Sequence, residues 1–376
     1  MIALKCYNIR VIRSHQIKLY PNNEQCVQLA KTAGTVRYCY NWGLARWNEM
    51  YKNGESCDKY LLSRIWTEER PEWAKEVTRD AQTRALLNLG AAFGAFFKKR
   101  AEHPTFHKKG CKDSFYVPNN KAWIKANGRI HLPNIGDVKM AETLRFNGHI
   151  QRYTVSRLAD GWYVAINVEL EDEVAPTDSE TAVGIDVGIK HWAVASDGTV
   201  LDKPKAIPRL EKSLKHAQRE LSRRQKGSKN RNKSRRRVAR LHQRIRNAKM
   251  DAVHKFTTTI AKNHGVVCCE NLCVAGMKKS MKAIRRGAQK SCMAELRMLL
   301  SYKCRHYVEI DRWFPSSKRC SKCGHVKEHL GLDERTYRCS ECGSVLDRDL
   351  NASINIRDEG LGIFTEGHSE SACGGC

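Results

Sequence analysis

Cys320-Ser-Lys-Cys323 and Cys339-Ser-Glu-Cys342, followed at once by Asp347-Arg-Asp349, are the stretch on which the reading of this chain turns. Fifteen residues separate Cys323 from Cys339, so the pattern is C-x2-C-x15-C-x2-C, within the spacing of a zinc ribbon. Each C-x2-C folds as a tight knuckle that aims two thiolates at one ion, and two knuckles complete a tetrahedron. Four thiolates leave no open coordination position. One Zn2+ held by Cys320, Cys323, Cys339 and Cys342 is therefore expected to be structural. The acids just beyond it follow a metal-clamped element. In a helix, residues two apart differ by roughly 200° of rotation, so Asp347 and Asp349 face away from each other. The spacing favours Asp347 as the helix N-cap and Asp349 as a ligand.

Two more acids stand out upstream. Asp186 lies inside the apolar run Val183-Gly-Ile-Asp-Val-Gly-Ile189, and Glu270 ends Val266-Val-Cys-Cys269. A carboxylate in such a strand needs a partner or a cation, because burying an unpaired charge is costly. Singly, Asp186 reads equally well as part of a β-bulge and Glu270 as a strand-terminal surface residue. Together with Asp349 they reproduce the layout of an RNase H-like nuclease, in which a central sheet and a helix bring acids to one point. Clustered carboxylates repel one another unless cations sit between them. Two Mg2+ ions suit hard oxygen ligands and phosphodiester hydrolysis.

The bulk composition agrees with a polyanionic partner. The 376 residues carry 67 Lys and Arg against 40 Asp and Glu, a balance of +27, and such an excess is most often matched to nucleic acid. Residues 212–250 hold 16 of these cations and one acid. Leu214, Leu221, Val238, Leu241 and Ile245 keep helical spacing there, so a helix pair broken at Gly227-Ser228 is expected, with its basic face outward. Arg223, Arg224, Lys226, Lys229, Arg231, Lys233, Arg235, Arg236 and Arg237 are the candidate nucleic-acid contacts. No window is long and apolar enough to span a bilayer, and no cleavable leader is visible. The expected location is the cytoplasm, nucleoid-associated through DNA, with no membrane partner. Cysteines scattered through apolar runs, such as Cys39, Cys268, Cys269 and Cys304, read as small core residues of a reducing compartment.

Elsewhere the pattern is coarser. Residues 6–20 read as one or two strands, and Pro21-Asn-Asn23 opens a helical region to about residue 101, broken at Lys52-Asn-Gly54 and Pro71. Leu86, Leu89, Phe93, Phe96 and Phe97 share one helical face, and Trp42, Trp47, Trp66 and Trp73 are expected in that core. The basic, aromatic stretch 104–125 reads as either a solvated connector or a nucleic-acid-contacting loop. A hairpin is expected at Ala159-Asp-Gly161 and another at Ser196-Asp-Gly-Thr199. Residues 169–180 contain six acids, no Lys or Arg, and Pro176, the composition of a linker. Residues 275–291 are basic and expected to be mobile. Ala294–Tyr307 reads as a helix, 308–310 as a strand, and Leu350–Ile356 as a short helix. The Gly- and Ser-rich tail is expected to be poorly ordered, and Cys373 and Cys376 read as a lone knuckle without a partner.

Val183-Gly-Ile-Asp-Val-Gly-Ile-Lys190, Glu270-Asn-Leu272, Asp311-Arg-Trp-Phe-Pro-Ser-Ser-Lys318, the cysteine knuckle with Gly324, and Asp347-Arg-Asp-Leu-Asn-Ala352 resemble the TnpB (OrfB) proteins of insertion sequences. Leu19-Tyr-Pro-Asn22 and Gly34-Thr-Val-Arg-Tyr-Cys-Tyr-Asn41 fit as well, so the resemblance spans residues 1–357. Ser353 departs from the usual pattern, where family members continue with alanine. The resemblance implies an α+β multidomain fold, with a β-barrel-like wedge domain at 1–22 and 126–172 and a helical recognition domain at 23–125. After a linker at 173–181 it implies a RuvC-like nuclease domain at 182–319 and 344–357, a zinc-ribbon insertion at 320–343, and a disordered tail at 358–376. It implies an RNA-guided DNA endonuclease, related to type V CRISPR effectors, with catalytic acids at Asp186, Glu270 and Asp349. The implied partners are a guide RNA from the transposon end and double-stranded target DNA beside a short flanking motif. Two other readings are a nuclease-inactive RNA-guided repressor and a transposase acting directly on element ends. Retention of all three acids speaks against the first, and the zinc knuckle and basic surface speak against the second.

Overall fold

The computed structural model describes residues 12–170, 179–271, 292–331 and 334–373, with side chains to residue 365. Residues 1–11, most of the acidic linker, the basic segment 275–291 and the thiols of Cys373 and Cys376 lie outside the described residues. The chain divides into two compact units, Met1–Glu173 and Val174–Cys376.

In the first unit, strand β1 (Ile12–Tyr20) is followed by helices α1 (Asn23–Lys52), α2 (Lys59–Glu69), α3 (Glu72–Lys75) and α4 (Arg79–Phe97). Strands β2 (Ser114–Pro118), β3 (Trp123–Lys125), β4 (Arg129–Leu132), β5 (Gly136–Met140), β6 (Gly148–Leu158) and β7 (Gly161–Leu170) complete it. The seven strands form one antiparallel sheet in the order β2-β6-β7-β1-β5-β4-β3. Helix α1 starts where the sequence places it. The Asn22 side chain accepts from the Gln25 N–H at 2.8 Å while Gln25 bonds back to the Asn22 N–H, a reciprocal capping box. Leu29 and Ala33 of α1 pack on the sheet with Ile17, Val164 and Ile166. The helices also share a core of their own around Leu44, Leu62, Trp66, Leu86, Leu89 and Phe93. In that core the buried Gln82 accepts from Trp66 Nε1 at 2.9 Å and donates to the Ala74 and Val77 carbonyls.

Three expectations change here. Strand β2 starts at Ser114, inside the stretch 104–125 that reads as a connector or loop. Phe115 and Val117 alternate inward on β2, a period too short to stand out beside the basic connector. Phe97 is 60% exposed at the last residue of α4. Trp73 is half exposed and meets the edge of Tyr38 rather than entering the core.

In the second unit, β8 (Ala182–Asp186), β9 (Ala193–Ala195) and β10 (Val200–Leu201) lead to helices α5 (Ala206–Arg223) and α6 (Lys229–Asn263). Then come β11 (Val266–Glu270), α7 (Met293–Lys303), β12 (His306–Ile310), β13 (Thr336–Arg338), β14 (Val345–Asp347) and α8 (Arg348–Cys373). The main sheet runs β10-β9-β8-β11-β12. Strands β8, β11 and β12 are parallel, and β9 and β10 are antiparallel to their neighbours. Val183, Ile185, Val267 and Cys269 point to one face, packing with Val253, Phe256 and Ile260 of α6 and Leu296 and Leu300 of α7. Val266 and Cys268 point to the other face, with Ile310 and with Ile356 of α8. Burial on both faces explains why β11 reads as an unbroken apolar run.

Helix α7 stops at Lys303, short of the expected Tyr307. His306 and Tyr307 instead pair in register with Val266 and Val267 at the sheet edge. Helix α8 does not stop near Ile356 and continues through Cys373, longer than the short helix expected over Leu350–Ile356. Phe364 packs on His306 with ring centroids 5.0 Å apart, and a Cβ on Gly360 would sit 2.4 Å from the Cys268 sulfur. The extension is thus held against the sheet, and Gly360 is a close-packing position that the composition reads as disorder.

Candidate functional site

Asp186 and Glu270 end adjacent parallel strands. Ile185 registers with Cys269, so the two acids occupy the next, matching level at the carboxyl ends of β8 and β11. Side chains alternate along a strand. Asp186 therefore shares the face of Gly184, and Glu270 the face of Cys268, which is the face that α8 covers. Asp349 lies in the first turn of α8. The three acids thus meet on one side of the sheet, at the strand ends where parallel sheets usually bind ligands.

Two features hold α8 this close. A Cβ at Gly184 would lie 2.0 Å from the Ser353 carbonyl oxygen and 2.4 Å from the Arg357 nitrogen, so only a glycine lets the helix backbone reach β8. Asn351 and Asn355, both buried and one helical turn apart, donate their side-chain amides to the carbonyls of Ser316 and Arg319 at 2.7–2.8 Å. Three consecutive residues then divide the work at the helix start. The Asp347 carboxylate accepts from the Asp349 and Leu350 N–H groups at 2.9 and 3.2 Å, which is N-cap geometry. Arg348 donates to the Gly331 and Glu334 carbonyls of the cysteine-bearing segment. Asp349 is left to face the other acids.

The electrostatics reflect this convergence. Asp186 is pushed up to about 8, first by burial and then by the negative charges of Glu270 and Asp349, with Arg348 partly offsetting them. Burial also raises Glu270, and the hydroxyl of Ser316, which donates to Glu270 Oε1, pulls it partly back. Each acid nevertheless keeps some accessible surface, so ions and water can reach the group. A raised acid ringed by two like charges is the donor set that a divalent cation would neutralise. The carboxylates stand further apart than the cysteine thiols. Among the described residues, the four cysteines are the group whose ligand atoms all lie within 4.8 Å of one another.

Those cysteines fit a metal well. Cys320 and Cys342 sulfurs are 3.7 Å apart and Cys323 and Cys339 sulfurs 3.5 Å. Tetrahedral Zn–S bonds of about 2.3 Å require about 3.8 Å. Each C-x2-C is followed by a glycine in the left-handed region, Gly324 at φ +78° and Gly343 at φ +65°, which turns the chain back over the knuckle. Strands β13 and β14 pair beneath it, and Tyr337, Leu330, Cys320 and Cys339 form its small core.

The basic helices form the expected antiparallel pair. They are joined at Gly227, and the Ser228 hydroxyl caps α6 by accepting from the Arg231 N–H. Arg223, Lys226, Lys229, Lys233, Arg235 and Arg236 are exposed and make no ion pair with described residues. Arg224 and Arg237 pair with Glu220. Arg231 is different: its guanidinium donates to the Leu221 and Arg224 carbonyls at 2.9 and 2.7 Å. It caps the end of α5. Sequence reasoning also passed over Gly184, Ser316, Asn351 and Asn355. The first three lie within the quoted motifs and Asn355 just beyond one, but only their tertiary partners reveal what they do.

The fold defines a class, a Cas12-like multidomain α+β protein. A solved Cas12f1–sgRNA–target DNA complex matches at a TM-score of 0.56 over 92% of this chain and 98% of that one, at 12% identity. The chain belongs to the TnpB (OrfB) family of insertion-sequence-encoded RNA-guided DNA endonucleases, related to type V CRISPR effectors. A Streptomyces pristinaespiralis protein named "Putative RNA-guided DNA endonuclease" is 35% identical over 97% of this chain and 92% of its own length. "Putative RNA-guided DNA endonuclease InsQ" of Escherichia coli K12 is 30% identical over 96% and 94%. Residues 165–281 match the OrfB family described as "Probable transposase", and residues 294–356 match the "Cas12f1-like, TNB domain". Residues 11–56 match a family described as "Helix-turn-helix domain", although here they contain a strand and one 30-residue helix. Among the described residues, no helix is long and apolar enough to cross a membrane.

Proposed function

We propose that this chain is an RNA-guided DNA endonuclease that cuts target DNA beside a short flanking motif, in an RNase H-like (RuvC-type) site formed by Asp186, Glu270 and Asp349. The observation that carries this reading is the convergence of three carboxylates from β8, β11 and α8 on one face, where two of them raise the third. Asp186, Glu270 and Asp349 would hold two Mg2+ ions, which when bound supply Lewis-acid stabilisation for phosphodiester hydrolysis. The protein's own groups do the placing. The Ser316 hydroxyl orients Glu270, the Asp347 cap fixes the first turn that carries Asp349, and Arg348 ties that turn to the ribbon and tempers the local negative charge. Cys320, Cys323, Cys339 and Cys342 would hold one structural Zn2+. The exposed cations of α5 and α6 offer a surface for the phosphates of a guide RNA or its heteroduplex with DNA.

We assign the transposon end as the source of the RNA, and the first unit as the wedge and helical recognition region. The gathered acid trio favours cutting over a purely repressive binder. The test is to purify the protein from cells carrying its native locus, sequence the bound RNA, and offer the complex a plasmid library with randomised flanks plus Mg2+. Cleavage confined to guide-matched plasmids sharing one flank is expected. Strand joining on element ends without RNA would instead favour a transposase.

A further inference from the structure

Trp313 is 84% exposed, the most exposed large hydrophobic side chain among the described residues. It is not on a loose segment. The Asp311 carboxylate accepts from the Trp313 N–H at 2.7 Å, and the Phe314 N–H bonds to the Asp311 carbonyl. Phe314, the next residue, turns inward against the Ile310 and Ile356 cluster, which leaves its neighbour outward. Asn355 and Asn351 pin the same turn through the Ser316 and Arg319 carbonyls, and the Ser316 hydroxyl reaches Glu270. The indole is therefore preset three residues from the side chain that orients a site acid.

The surroundings decide what it meets. Among the described residues, its chain neighbours Asp311, Arg312, Pro315 and Lys318 are exposed and mostly polar, unlike the apolar surroundings a protein partner covers. One flat aromatic face with a neighbouring guanidinium, in a chain of charge +27, matches the face of a nucleobase and its phosphate. A duplex has its base faces already stacked, so the base must come from a single strand.

We propose that Trp313 is a stacking platform for an unpaired base of the DNA strand presented to Asp186, Glu270 and Asp349. The proposal rests on the nuclease reading above. It is tested by binding, independently of cutting, with RNA-loaded full-length protein carrying Asp186→Ala. Single-stranded DNA oligonucleotides with 2-aminopurine moved along the sequence are titrated at two salt concentrations. The expected result is quenching at one position in the Asp186→Ala protein, lost on adding Trp313→Ala together with about tenfold in affinity, ~1.4 kcal/mol. Trp313→Phe should restore most of both, and the tenfold ratio should persist at the higher salt. Equal quenching and affinity in the Trp313→Ala protein would overturn the proposal alone. So would a Trp313→Ala loss that Trp313→Phe does not restore, or a change of oligomeric mass in place of the affinity change. Absence of single-strand binding by the Asp186→Ala parent would overturn both the platform and the nuclease reading.

Discussion

At the scale of single residues, the acid trio sets function against stability. The folded-state value of Asp186 is about 8, well above its unfolded value near 3.8, so the folded form holds the proton more tightly. Its favourable contribution is complete below about pH 4 and is lost as pH rises through 8. Without metal, the unfolding midpoint should fall between about pH 4 and 8, and Asp186→Asn should flatten that part of the curve. The difference should be on the order of a few kcal/mol at the alkaline end, read by thermal melts in chelator, and an unchanged slope would refute the assignment. Ser316→Ala frees Glu270 Oε1 and should slow cleavage about 10- to 100-fold, the worth of a charge-assisted hydrogen bond, with a raised Mg2+ requirement in a metal titration. Asp186 stood out as an acid inside an apolar strand, but it became a candidate only in combination with Glu270 and Asp349. Ser316, Asn351 and Asn355 did not stand out, because serine and asparagine acquire meaning only from the carbonyl or carboxylate that folding brings to them.

At the scale of elements, the approach of α8 to β8 is the critical contact. Gly184→Ala inserts a Cβ into the Ser353 and Arg357 backbone, which cannot rotate away as a side chain would. A destabilisation of about 1–3 kcal/mol is expected, with a disproportionate loss of cleavage because Asp349 moves with the helix. Denaturant melts alongside single-turnover rates check both halves. The helix pair gives a second contrast. Arg231→Ala should destabilise the α5–α6 junction, whereas Arg235→Ala with Arg236→Ala should leave melting unchanged and reduce the salt dependence of RNA binding by about one to two ions. The pair itself was legible from its apolar spacing and the Gly227-Ser228 break. The inward turn of Arg231 was not, since a guanidinium that caps carbonyls has the same sequence signature as one that meets phosphate. The length of α8 was missed for a related reason: Gly360, which permits close packing on Cys268, looks in one dimension like a glycine of a flexible tail.

At the scale of the whole molecule, the ribbon and the acid site are mechanically linked through Arg348, with Asp347 at the joint. Metal at the cysteines should therefore matter to chemistry it never touches. Cys339→Ser should lower bound zinc below one per chain by elemental analysis and reduce cleavage, while the far-ultraviolet signal of the two main sheets and helices stays largely intact. Loss of zinc with full cleavage would uncouple the ribbon from the site. The central claim is that Asp186, Glu270 and Asp349 act as one phosphodiester-cleaving centre. It is tested most directly by single-turnover cleavage of a guide-matched plasmid by RNA-loaded protein in Mg2+, for the parent and for Asp186→Ala, Glu270→Gln and Asp349→Ala. The account predicts that each substitution lowers the rate at least about 1,000-fold, ~4 kcal/mol, with RNA binding unchanged. A parent rate retained in any one of the three, with RNA still bound, would contradict it.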